Sequence, residues 1–572
     1  MQSDTRQGAL KLTLAQINPT IGDFQGNCAL MLAAARSAAA EGSRLIVFPE
    51  LSLTAYYPAD LLDEEPFAAR IAAGTKALLE ASRETPDLYW VIGAPTPTVH
   101  AGKRFYNSLL VLKDGVTVLA YHKQLLPTYG VFDERRHFEP GPDVARVLCV
   151  DGVRIGFMIC EDGWNDDLAA YAVNPFDRLT DAAPDLVVSI NASPSNVGKR
   201  QQRHAIFLKA CERHQLPLVY VNQVGGHDQL IYDGASFALS PTQGIAFEAK
   251  RFEVDQMTLT FDPQKREFSS QERQKPLAEE SAMTFYHQQI LLGLKDYARR
   301  CGFSRAVVGC SGGIDSALTL ALAVEALGAE NVIAITMPSI FSSGGSVSDS
   351  VRLCQNLGIA LLTHPIIDIV EAYKQGFAAS IGKELKGLPL ENLQARIRGT
   401  ILMEYSNSFS HLLLTTGNKS EISVGYCTLY GDTNGGLGLI GDLYKTEVFD
   451  LSRHLNTLAG RELIPVAIID KPPSAELAPD QKDTDSLPPY EVLDEILKLQ
   501  IEGRRLSDAE YSAAERAVSA LKQSAAGEAT IERVRKMIAR NEYKRRQAPP
   551  IVRLRARAFG SGRQMPIAAY YA

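Results

Sequence analysis

The sequence lacks the features that mark several large classes of protein. No apolar run in its 572 residues approaches the length of a membrane span, and the N-terminus shows no signal-peptide pattern. Its eight cysteines include no Cys-x-x-Cys pair, which argues against a zinc site and against a disulfide framework. A net charge of -7 gives no electrostatic reason to expect nucleic acid or membrane partners. We therefore expect a cytoplasmic protein that binds neither.

Length and composition predict a globular chain with more than one domain. A single core stops growing well below 572 residues, and 45% hydrophobic with 22% charged residues is ordinary for such chains. We find no internal repeat or low-complexity block. Strand-like and helix-like runs alternate up to residue 262, a polar stretch follows, and a second alternating series begins at residue 282. This order predicts domains at 1–262 and 282–572, joined by a linker at 263–281.

The expected elements are short apolar runs and longer amphipathic ones. In the first domain we predict strands at 11–17, 45–48, 90–93, 108–112, 153–159, 186–190 and 218–221, with helices at 26–40 and 199–214. In the second domain we predict strands at 306–308, 332–336, 361–365 and 411–415. Mixed runs fit helices layered on sheets in the first domain. The regular alternation in the second predicts a doubly wound parallel sheet, which binds ligands at the carboxyl ends of its strands.

A turn of small residues separates the strand at 306–308 from a predicted helix at 317–327. The turn reads Gly309-Cys310-Ser311-Gly312-Gly313-Ile314-Asp315-Ser316. Glycine lets backbone approach a ligand closely, and the amides that open a helix attract anions, so the turn suits phosphate. No Gly-Lys-Ser/Thr closes it, so it is not a Walker loop. The alternative is an ordinary glycine-rich turn, but its place between strand and helix favours a phosphate loop in which Asp315 holds magnesium.

Three polar residues of the first domain lie near the ends of predicted strands: Glu50, Lys123 and Cys160. A thiol becomes a strong nucleophile when a base removes its proton, and a carboxylate can take that proton and return it to a leaving amine. An ammonium group can stabilise the oxyanion of a tetrahedral intermediate. Taken singly, a buried cysteine, a helix cap and a solvated lysine are the simpler interpretations. Together the three residues form a self-consistent amide-cleaving set.

These residues and their neighbours resemble the nitrilase and amidase superfamily over about the first 260 residues. The matching segments are a glutamate after a strand, the pair His122-Lys123 and the run Ile159-Cys160-Glu161-Asp162. The resemblance implies a four-layer αββα sandwich. It also implies that Glu50 is the general base, Lys123 the oxyanion stabiliser and Cys160 the nucleophile.

The same resemblance implies further site residues in the first domain. Glu134 is expected to be the additional carboxylate that such sites often contain. Contacts with glutamine are implied for Tyr129, Ser193 and Lys199. Ser193 follows a predicted strand, so a small polar side chain facing the pocket is reasonable. Lys199 could equally be the solvated first residue of the helix at 199–214.

The turn at 309–316 resembles the pyrophosphate-binding loop of the N-type ATP pyrophosphatases, enzymes with a Rossmann-like fold that adenylate an acyl or carbonyl oxygen. Five later segments occur in the order typical of the NAD synthetase family. They are Glu391-Asn392-Leu393-Gln394-Ala395-Arg396, Thr415-Thr416-Gly417-Asn418-Lys419-Ser420-Glu421, Gly441-Asp442-Leu443-Tyr444-Lys445-Thr446-Glu447, Lys471-Pro472-Pro473-Ser474-Ala475-Glu476-Leu477 and Lys544-Arg545-Arg546-Gln547. With the amidase-like first domain, the whole chain resembles the glutamine-dependent members of that family.

This second resemblance assigns roles within the second domain. It implies ATP contacts from Thr416 and from the loop residues Gly309, Cys310, Ser311, Gly312, Gly313, Ile314, Asp315 and Ser316. Contacts with deamido-NAD (nicotinic acid adenine dinucleotide) are implied for Asn392, Glu421 and Lys544, and magnesium ligands for Asp315 and Glu421. Asp442 and Lys445 are expected phosphate contacts, with a surface ion pair as the alternative. Cys310 reads as a packing residue rather than a reactive thiol.

The implied reaction is the last step of NAD biosynthesis, catalysed by a ligase. Cys160 would release ammonia from glutamine, ATP would adenylate deamido-NAD, and ammonia would displace AMP to give NAD. Because free ammonia is protonated and diluted in water, we expect a shielded passage between the two sites. The family also suggests a symmetric homo-oligomer, at least a dimer through the second domain.

Three other hypotheses remain open from the sequence. The chain could transfer ammonia to a different carboxylate or nucleotide, or bind nucleotide as a scaffold without turnover. It could also modify a nucleic acid, because residues 533–557 are strongly basic. Retention of every expected catalytic residue argues against the scaffold. The acidic balance and the absence of an added RNA-binding module argue against nucleic acid.

Overall fold

The computed structural model describes residues 8–166, 170–270, 278–479 and 481–569. The chain divides into two compact units, one made of Met1–Gly225 and Tyr232–Glu279, the other of Gly226–Ile231 and Glu280–Ala572. Within the described residues, no helix is both long and apolar enough to cross a membrane.

Among the described residues, fifteen strands precede residue 270, and most of them belong to two sheets of the first unit. They are β1 (Leu10–Gln16), β2 (Leu45–Val47), β3 (Tyr89–Pro97), β4 (Phe105–Lys113), β5 (Val116–His122), β6 (Val147–Val150), β7 (Val153–Ile159), β8 (Leu186–Asn191), β9 (Leu218–Asn222), β10 (Val224–His227), β11 (Leu230–Asp233), β12 (Phe237–Ser240), β13 (Gly244–Glu248), β14 (Asp255–Asp262) and β15 (Glu267–Ser269). One sheet has the order β15-β14-β1-β2-β3-β4-β5 and the other β13-β12-β9-β8-β7-β6, while β10 and β11 pair as a ribbon.

The two sheets pack face to face, and helices cover their outer faces. Apolar residues of both sheets, such as Leu12, Val111, Ile155 and Val219, share one buried cluster. Helices α1 (Phe24–Ala40) and α2 (Glu65–Ser82) contact the first sheet, and α3 (Pro175–Ala182) and α4 (Lys199–His214) contact the second. This is the αββα sandwich that the resemblance to the nitrilase and amidase superfamily implies. Every predicted strand and helix of the unit is present within a few residues of its expected bounds.

Part of the predicted linker at 263–281 belongs to the first sheet. The strand β15 pairs with β14 from Thr260 opposite Ser269 to Asp262 opposite Glu267, and Phe268 is buried against the core. The polar composition hid this hairpin because a short edge strand needs only one inward apolar side chain. Residues 271–277 lie outside the described part of the chain.

The second unit is built on five parallel strands with the order β18-β17-β16-β19-β20. They are β16 (Ala306–Gly309), β17 (Val332–Thr336), β18 (Ala360–Thr363), β19 (Leu412–Thr415) and β20 (Leu437–Gly438). The helices are α5 (Ala282–Arg300), α6 (Ile314–Leu327), α7 (Gly344–Leu357), α8 (Ile367–Ile381), α9 (Leu388–Phe409), α10 (Lys419–Val424), α11 (Lys445–Ala459), α12 (Val466–Asp470), α13 (Tyr490–Ile501), α14 (Asp508–Leu521), α15 (Ala525–Arg540) and α16 (Glu542–Arg545).

The strand order of this sheet fixes where a ligand binds. The chain winds outward from β16 through β17 to β18, then returns to β19 on the other side of β16 and continues to β20. This is the predicted doubly wound parallel sheet. A crevice opens where the winding direction reverses, beyond the carboxyl ends of β16 and β19.

Candidate active sites

Cys160 lies directly after β7, on the first residue of a short 3-10 turn. Its φ of 44° is in the left-handed region, which non-glycine residues seldom adopt, and it is 6% exposed. Asp162 holds this turn: one carboxylate oxygen accepts from the Ile159 amide at 3.0 Å, and the other accepts from the amides of Gln124 (3.0 Å) and Leu125 (2.9 Å). The cysteine turn is thereby fixed to the backbone that follows Lys123.

Two buried carboxylates share one ammonium group in the first unit. Lys123 Nζ lies 2.7 Å from Glu50 Oε1 and 2.6 Å from Glu134 Oε1, and all three side chains are inaccessible to solvent. Asn107 Nδ2 donates to Glu50 Oε1 at 2.7 Å and to Glu134 Oε2 at 3.3 Å. The structure thus brings the expected glutamates and lysine together. Asn107, which sequence reasoning missed, bridges the same two carboxylates.

Burial and charge set the protonation of these groups. Burial, reinforced by Glu50, raises the pKa of the Cys160 thiol well above its usual range, so the resting thiol keeps its proton. Burial opposes the charge of Lys123, but Glu134 and Glu50 raise its pKa well above normal and keep it an ammonium. Glu50 Oε1 accepts from both Lys123 and Asn107, whereas Oε2 accepts from the Ala192 amide at 3.0 Å. Oε2 therefore retains the free lone pair that a base needs.

Tyr129 lies beside the nucleophile rather than far from it. Its hydroxyl donates to the carboxylate of Glu161, the residue after Cys160, with a shortest O···O distance of 2.9 Å. The hydroxyl of Tyr171 donates to the same carboxylate at 2.9 Å. Burial raises the pKa of Glu161, and the two tyrosines and Lys123 oppose that rise. The sequence analysis assigned no role to Glu161, which appeared there only within a matched motif, although this carboxylate directly follows the nucleophile in the chain.

The other two expected glutamine contacts are occupied by neighbouring side chains. Arg203 is buried and donates through Nε to Ser193 Oγ at 3.2 Å and through NH2 to the Ser193 carbonyl at 2.9 Å. Lys199 is the first residue of α4, and its Nζ lies 3.7 Å from the ring centroid of Trp164. Trp164 follows the 3-10 turn that begins at Cys160, so its ring connects Lys199 to the segment that carries the nucleophile.

A cavity of about 500 Å³ lies at the carboxyl ends of β16, β17 and β19. The predicted loop residues at 309–316 line it except Gly312, and Thr416 lines it from the end of β19. Gly312 has a φ of +78°, and a Cβ there would lie 2.3 Å from the backbone oxygen of Ser346. Only glycine fits at this position, which lets the loop lie directly against the start of α7.

The expected magnesium ligands face this cavity. Lys445 Nζ contacts Asp315 Oδ2 and lies 3.2 Å from Glu421 Oε1, and Asn418 Nδ2 donates to Asp315 Oδ1 at 2.8 Å. Burial raises the pKa of Glu421 to about 8, against the opposing effect of Lys445. Two carboxylates beside a phosphate loop are the donors that magnesium uses when substrate phosphates complete its coordination. The residues present therefore fit the ion.

The expected contacts for deamido-NAD, which are Asn392, Glu421 and Lys544, line the same cavity. Asn392, on α9, accepts a hydrogen bond from Thr428 Oγ1 at 2.8 Å. Lys544 Nζ donates to the backbone carbonyls of Gly425 (2.8 Å) and Cys427 (2.7 Å). These contacts place Asn392 and Lys544 around the segment that follows α10.

The structure does not place Asp442 with the other expected phosphate contacts. Its side chain is fully buried, 2.8 Å from Lys419 Nζ, and accepts from the amides of Leu554 and Arg555, both at 2.8 Å. The Asp442 carboxylate is thus neutralised and hydrogen-bonded within the core of the unit. Lys445, three residues on, does line the cavity. The surface ion pair offered as the alternative is also wrong, because Asp442 is not on the surface.

Several cavity residues were not singled out from the sequence. Lys471 Nζ lies 3.3 Å from Glu476 Oε1 and also contacts Ser346 Oγ. Asp483 is buried and accepts hydrogen bonds from the hydroxyls of Tyr426 (3.2 Å) and Tyr490 (2.8 Å). Lys471 and Glu476 lie in a segment that was matched as a motif, so the motif could have identified them. Asp483 had no such signal.

The two sites together define a class of enzyme: a glutamine amidotransferase of the ligase type, with an amide-cleaving centre and a nucleotide site in one chain. The family comparisons agree with this plan. Residues 11–267 match the family model for carbon-nitrogen hydrolase, and residues 286–548 match the family model for NAD synthase.

Full-length relatives narrow the class to one family. The chain is 42% identical to the glutamine-dependent NAD(+) synthetase of Synechocystis sp., over 97% of this chain and 98% of the relative. It is 39% identical to that of Acinetobacter baylyi over 98% of both. The structure of the glutamine-dependent NAD+ synthetase from Acinetobacter baumannii, in complex with ADP, is 38% identical over 98% of both chains, with a TM-score of 0.76. The chain belongs to the glutamine-dependent NAD(+) synthetases, ligases that take their amido group from glutamine.

Proposed function

We propose that Cys160, Glu50 and Lys123 hydrolyse glutamine, and that the cavity beside Gly309–Ser316 converts deamido-NAD to NAD with the ammonia released. The observation that supports the first role is the buried Lys123 ammonium, held between Glu50 and Glu134 at hydrogen-bond distance from both. The second role is supported by a phosphate loop and two carboxylates that line one cavity.

The glutaminase step follows from these protonation states. Glu50 Oε2 takes the thiol proton of Cys160, and the thiolate attacks the side-chain carboxamide of glutamine. Lys123 stabilises the oxyanion that forms. Glu50 gives the proton to the leaving nitrogen, so ammonia departs and a thioester remains. Water, deprotonated by Glu50, then releases glutamate and restores the thiol.

Glutamine recognition involves groups around Glu161. Its carboxylate, held by Tyr129 and Tyr171, is a suitable acceptor for the α-ammonium group of glutamine. Lys199 and Ser193 remain proposed contacts for the other end of the substrate. Lys199 would have to leave or share the Trp164 ring, and Ser193 would act from a position that Arg203 fixes.

In the second unit, ATP phosphates bind the amides of the loop and the start of α6, where the helix dipole favours negative charge. Asp315 and Glu421 would hold magnesium, which when bound supplies positive charge to the phosphates. Lys445 holds these two carboxylates in place. The carboxylate of deamido-NAD attacks the α-phosphorus and pyrophosphate leaves. Ammonia then attacks the acyl carbon, AMP leaves and NAD is formed.

Product analysis tests this function directly. Incubation with glutamine, ATP, magnesium and deamido-NAD should yield NAD, AMP, pyrophosphate and glutamate in equal amounts. Omission of deamido-NAD should prevent pyrophosphate release. Pyrophosphate release with a different acceptor in place of deamido-NAD would contradict the proposal and support another amidotransferase. Absence of glutamine hydrolysis at high protein concentration would instead support a binding protein without turnover.

We also propose that the second unit forms a homodimer through α8. This helix has 15 residues and none of them is buried, yet it carries Ile367, Ile369, Tyr373 and Ile381, all exposed. Ile369 and Tyr373 lie one helical turn apart and therefore share a face of α8, and exposed apolar side chains grouped in this way mark a protein interaction site. A second copy of the chain would cover it by two-fold symmetry, because a self-complementary patch is the simplest way to close an assembly.

Analytical ultracentrifugation should show a dimer for the native chain and a monomer for the double variant Ile369→Glu and Tyr373→Glu, because two buried charges oppose association. A matched control is Val116→Glu, an exposed apolar position on β5 of the first unit, which should leave the dimer intact. A native chain that sediments as a monomer at micromolar concentration would contradict this proposal.

A further inference from the structure

In the part of the chain that the structure describes, four cationic side chains line the cavity of the second unit: Arg398, Lys445, Lys471 and Lys544. The three lysines are already committed to acceptors within the protein. Lys445 contacts two carboxylates, Lys471 contacts Glu476, and Lys544 donates to two backbone carbonyls. Their charge is therefore partly used before any substrate arrives.

Arg398 differs from these lysines. Its Nε donates to the carbonyl of Met337 at 3.1 Å, and among the described residues it forms no ion pair. Its two terminal amino groups, which carry four N–H donors, have no hydrogen-bond partner in that part of the chain. Burial lowers the pKa of Arg398 to about 10, with Glu476 as the opposing charge, so the guanidinium stays charged at neutral pH. A half-buried guanidinium with no carboxylate at ion-pair distance among the described residues is costly unless an anion completes its surroundings.

The surroundings of Arg398 place it on the phosphate-loop side of the cavity. Met337 follows β17, which runs beside β16, and β16 leads directly into the loop. Leu402, one helical turn after Arg398 on α9, packs against the start of the same loop. A Cβ built on Gly309 would lie 3.1 Å from its Cδ1. The guanidinium is therefore hydrogen-bonded close to the part of the cavity where ATP phosphates are expected.

The other side of α9 faces a different part of the cavity. Gly399 packs against the backbone of Gly431, since a Cβ on Gly399 would lie 2.8 Å from the Gly431 oxygen. Asn392 bonds Thr428 in the same segment. Asn392 and Lys544, two of the expected dinucleotide contacts, thus lie around residues 425–431, whereas Arg398 reaches toward Met337.

We propose that Arg398 binds phosphate oxygens of ATP through its two free amino groups. The planar guanidinium donates two parallel hydrogen bonds to a phosphate, which a lysine cannot do. Arg398 thereby offers the phosphates a positive charge that has no ion-pair partner among the described residues. Lys445, Lys471 and Lys544, by contrast, already contact acceptors within the protein. This inference rests on the proposed use of ATP in this cavity and adds a specific binding residue to it.

Steady-state kinetics with ammonium as the nitrogen source test this role. Arg398→Met should raise the KM for ATP about 10- to 100-fold, the usual loss for charge-assisted hydrogen bonds, and leave the KM for deamido-NAD unchanged. The KM for ATP of Arg398→Lys should lie between the values of the native chain and Arg398→Met, because lysine keeps the charge but cannot donate two parallel hydrogen bonds. Calorimetry with α,β-methylene-ATP, which cannot release pyrophosphate, should show the same loss of affinity. Arg352→Met, an exposed arginine on α7, is the matched control and should behave as native.

An unchanged KM for ATP, or an equal rise for deamido-NAD, would overturn the assignment. If Arg398→Met does not fold, Arg398→Lys can still donate to the Met337 carbonyl and gives the same KM comparison. The native chain, assayed in parallel, separates this inference from the reaction itself. Native release of pyrophosphate that requires deamido-NAD would uphold the proposed function even where Arg398 variants bind ATP normally.

Discussion

Replacement of Cys160 by alanine should abolish NAD synthesis from glutamine and leave synthesis from added ammonium largely intact. The thiol is the only group proposed to form a covalent bond with glutamine, so its loss should lower glutamine-driven synthesis by at least about 10,000-fold. Ammonium bypasses the first unit, and no residue of the second cavity is changed. The measurement is NAD formation with each nitrogen source, together with glutamate release.

The matched control for this variant is Cys211→Ala. Cys211 is also a buried cysteine of the first unit, but it lies on α4 within an apolar cluster. It should retain both activities, apart from a small loss of stability for the sulfur contacts removed. Loss of ammonium-driven synthesis in Cys160→Ala would contradict two separate sites. Retention of glutamine hydrolysis would exclude Cys160 as the nucleophile.

The parts of the sites that lie at strand ends could be predicted from the sequence. Glu50 follows β2, Cys160 follows β7 and the phosphate loop follows β16, so local patterns predicted both the strand and the polar residue after it. Parallel strands have their carboxyl ends at one edge of a sheet, and this rule predicts that Thr416 lies near the loop that begins at Gly309. Both residues line the same cavity.

The parts that depend on long-range packing could not be predicted. Asn107 bridges Glu50 and Glu134, partners that lie 57 and 27 residues away, and no local pattern encodes that distance. The burial of Asp442 could not be predicted for the same reason. Its position three residues before Lys445 in one motif suggested a shared role, whereas its carboxylate accepts hydrogen bonds from the amides of Leu554 and Arg555, more than a hundred residues later.

Arg398 illustrates a further limit of sequence reasoning. The sequence shows an arginine on a helix, for which a surface ion pair is the ordinary expectation. Only the structure shows that its neighbours include no carboxylate within ion-pair distance among the described residues and that it lines the cavity. The absence of a partner is a property of the packed fold, and it is what makes this arginine a candidate for substrate binding.

The second large effect is expected for Asp315→Asn. This change should lower NAD synthesis by roughly 1,000-fold with glutamine and with ammonium alike, because several kcal/mol of charge stabilisation at the phosphates depends on the metal. It also removes the partner of Lys445, which would then pair only with Glu421. Pyrophosphate release should fall by the same factor. Chelation of magnesium should affect the native chain in the same way.

Basal glutamine hydrolysis distinguishes this result from general damage to the protein. Measured without ATP and deamido-NAD, it should be unchanged in Asp315→Asn, because the proposed glutaminase residues all belong to the first unit. Asp450→Asn provides the matched control, since Asp450 is an exposed carboxylate on α11 that pairs only with a neighbouring arginine among the described residues. It should keep full synthesis with either nitrogen source. Full synthesis by Asp315→Asn would remove the proposed metal ligand. Failure with ammonium together with intact glutamine hydrolysis, the reverse of the pattern expected for Cys160→Ala, would assign the two chemistries to two separate sets of residues.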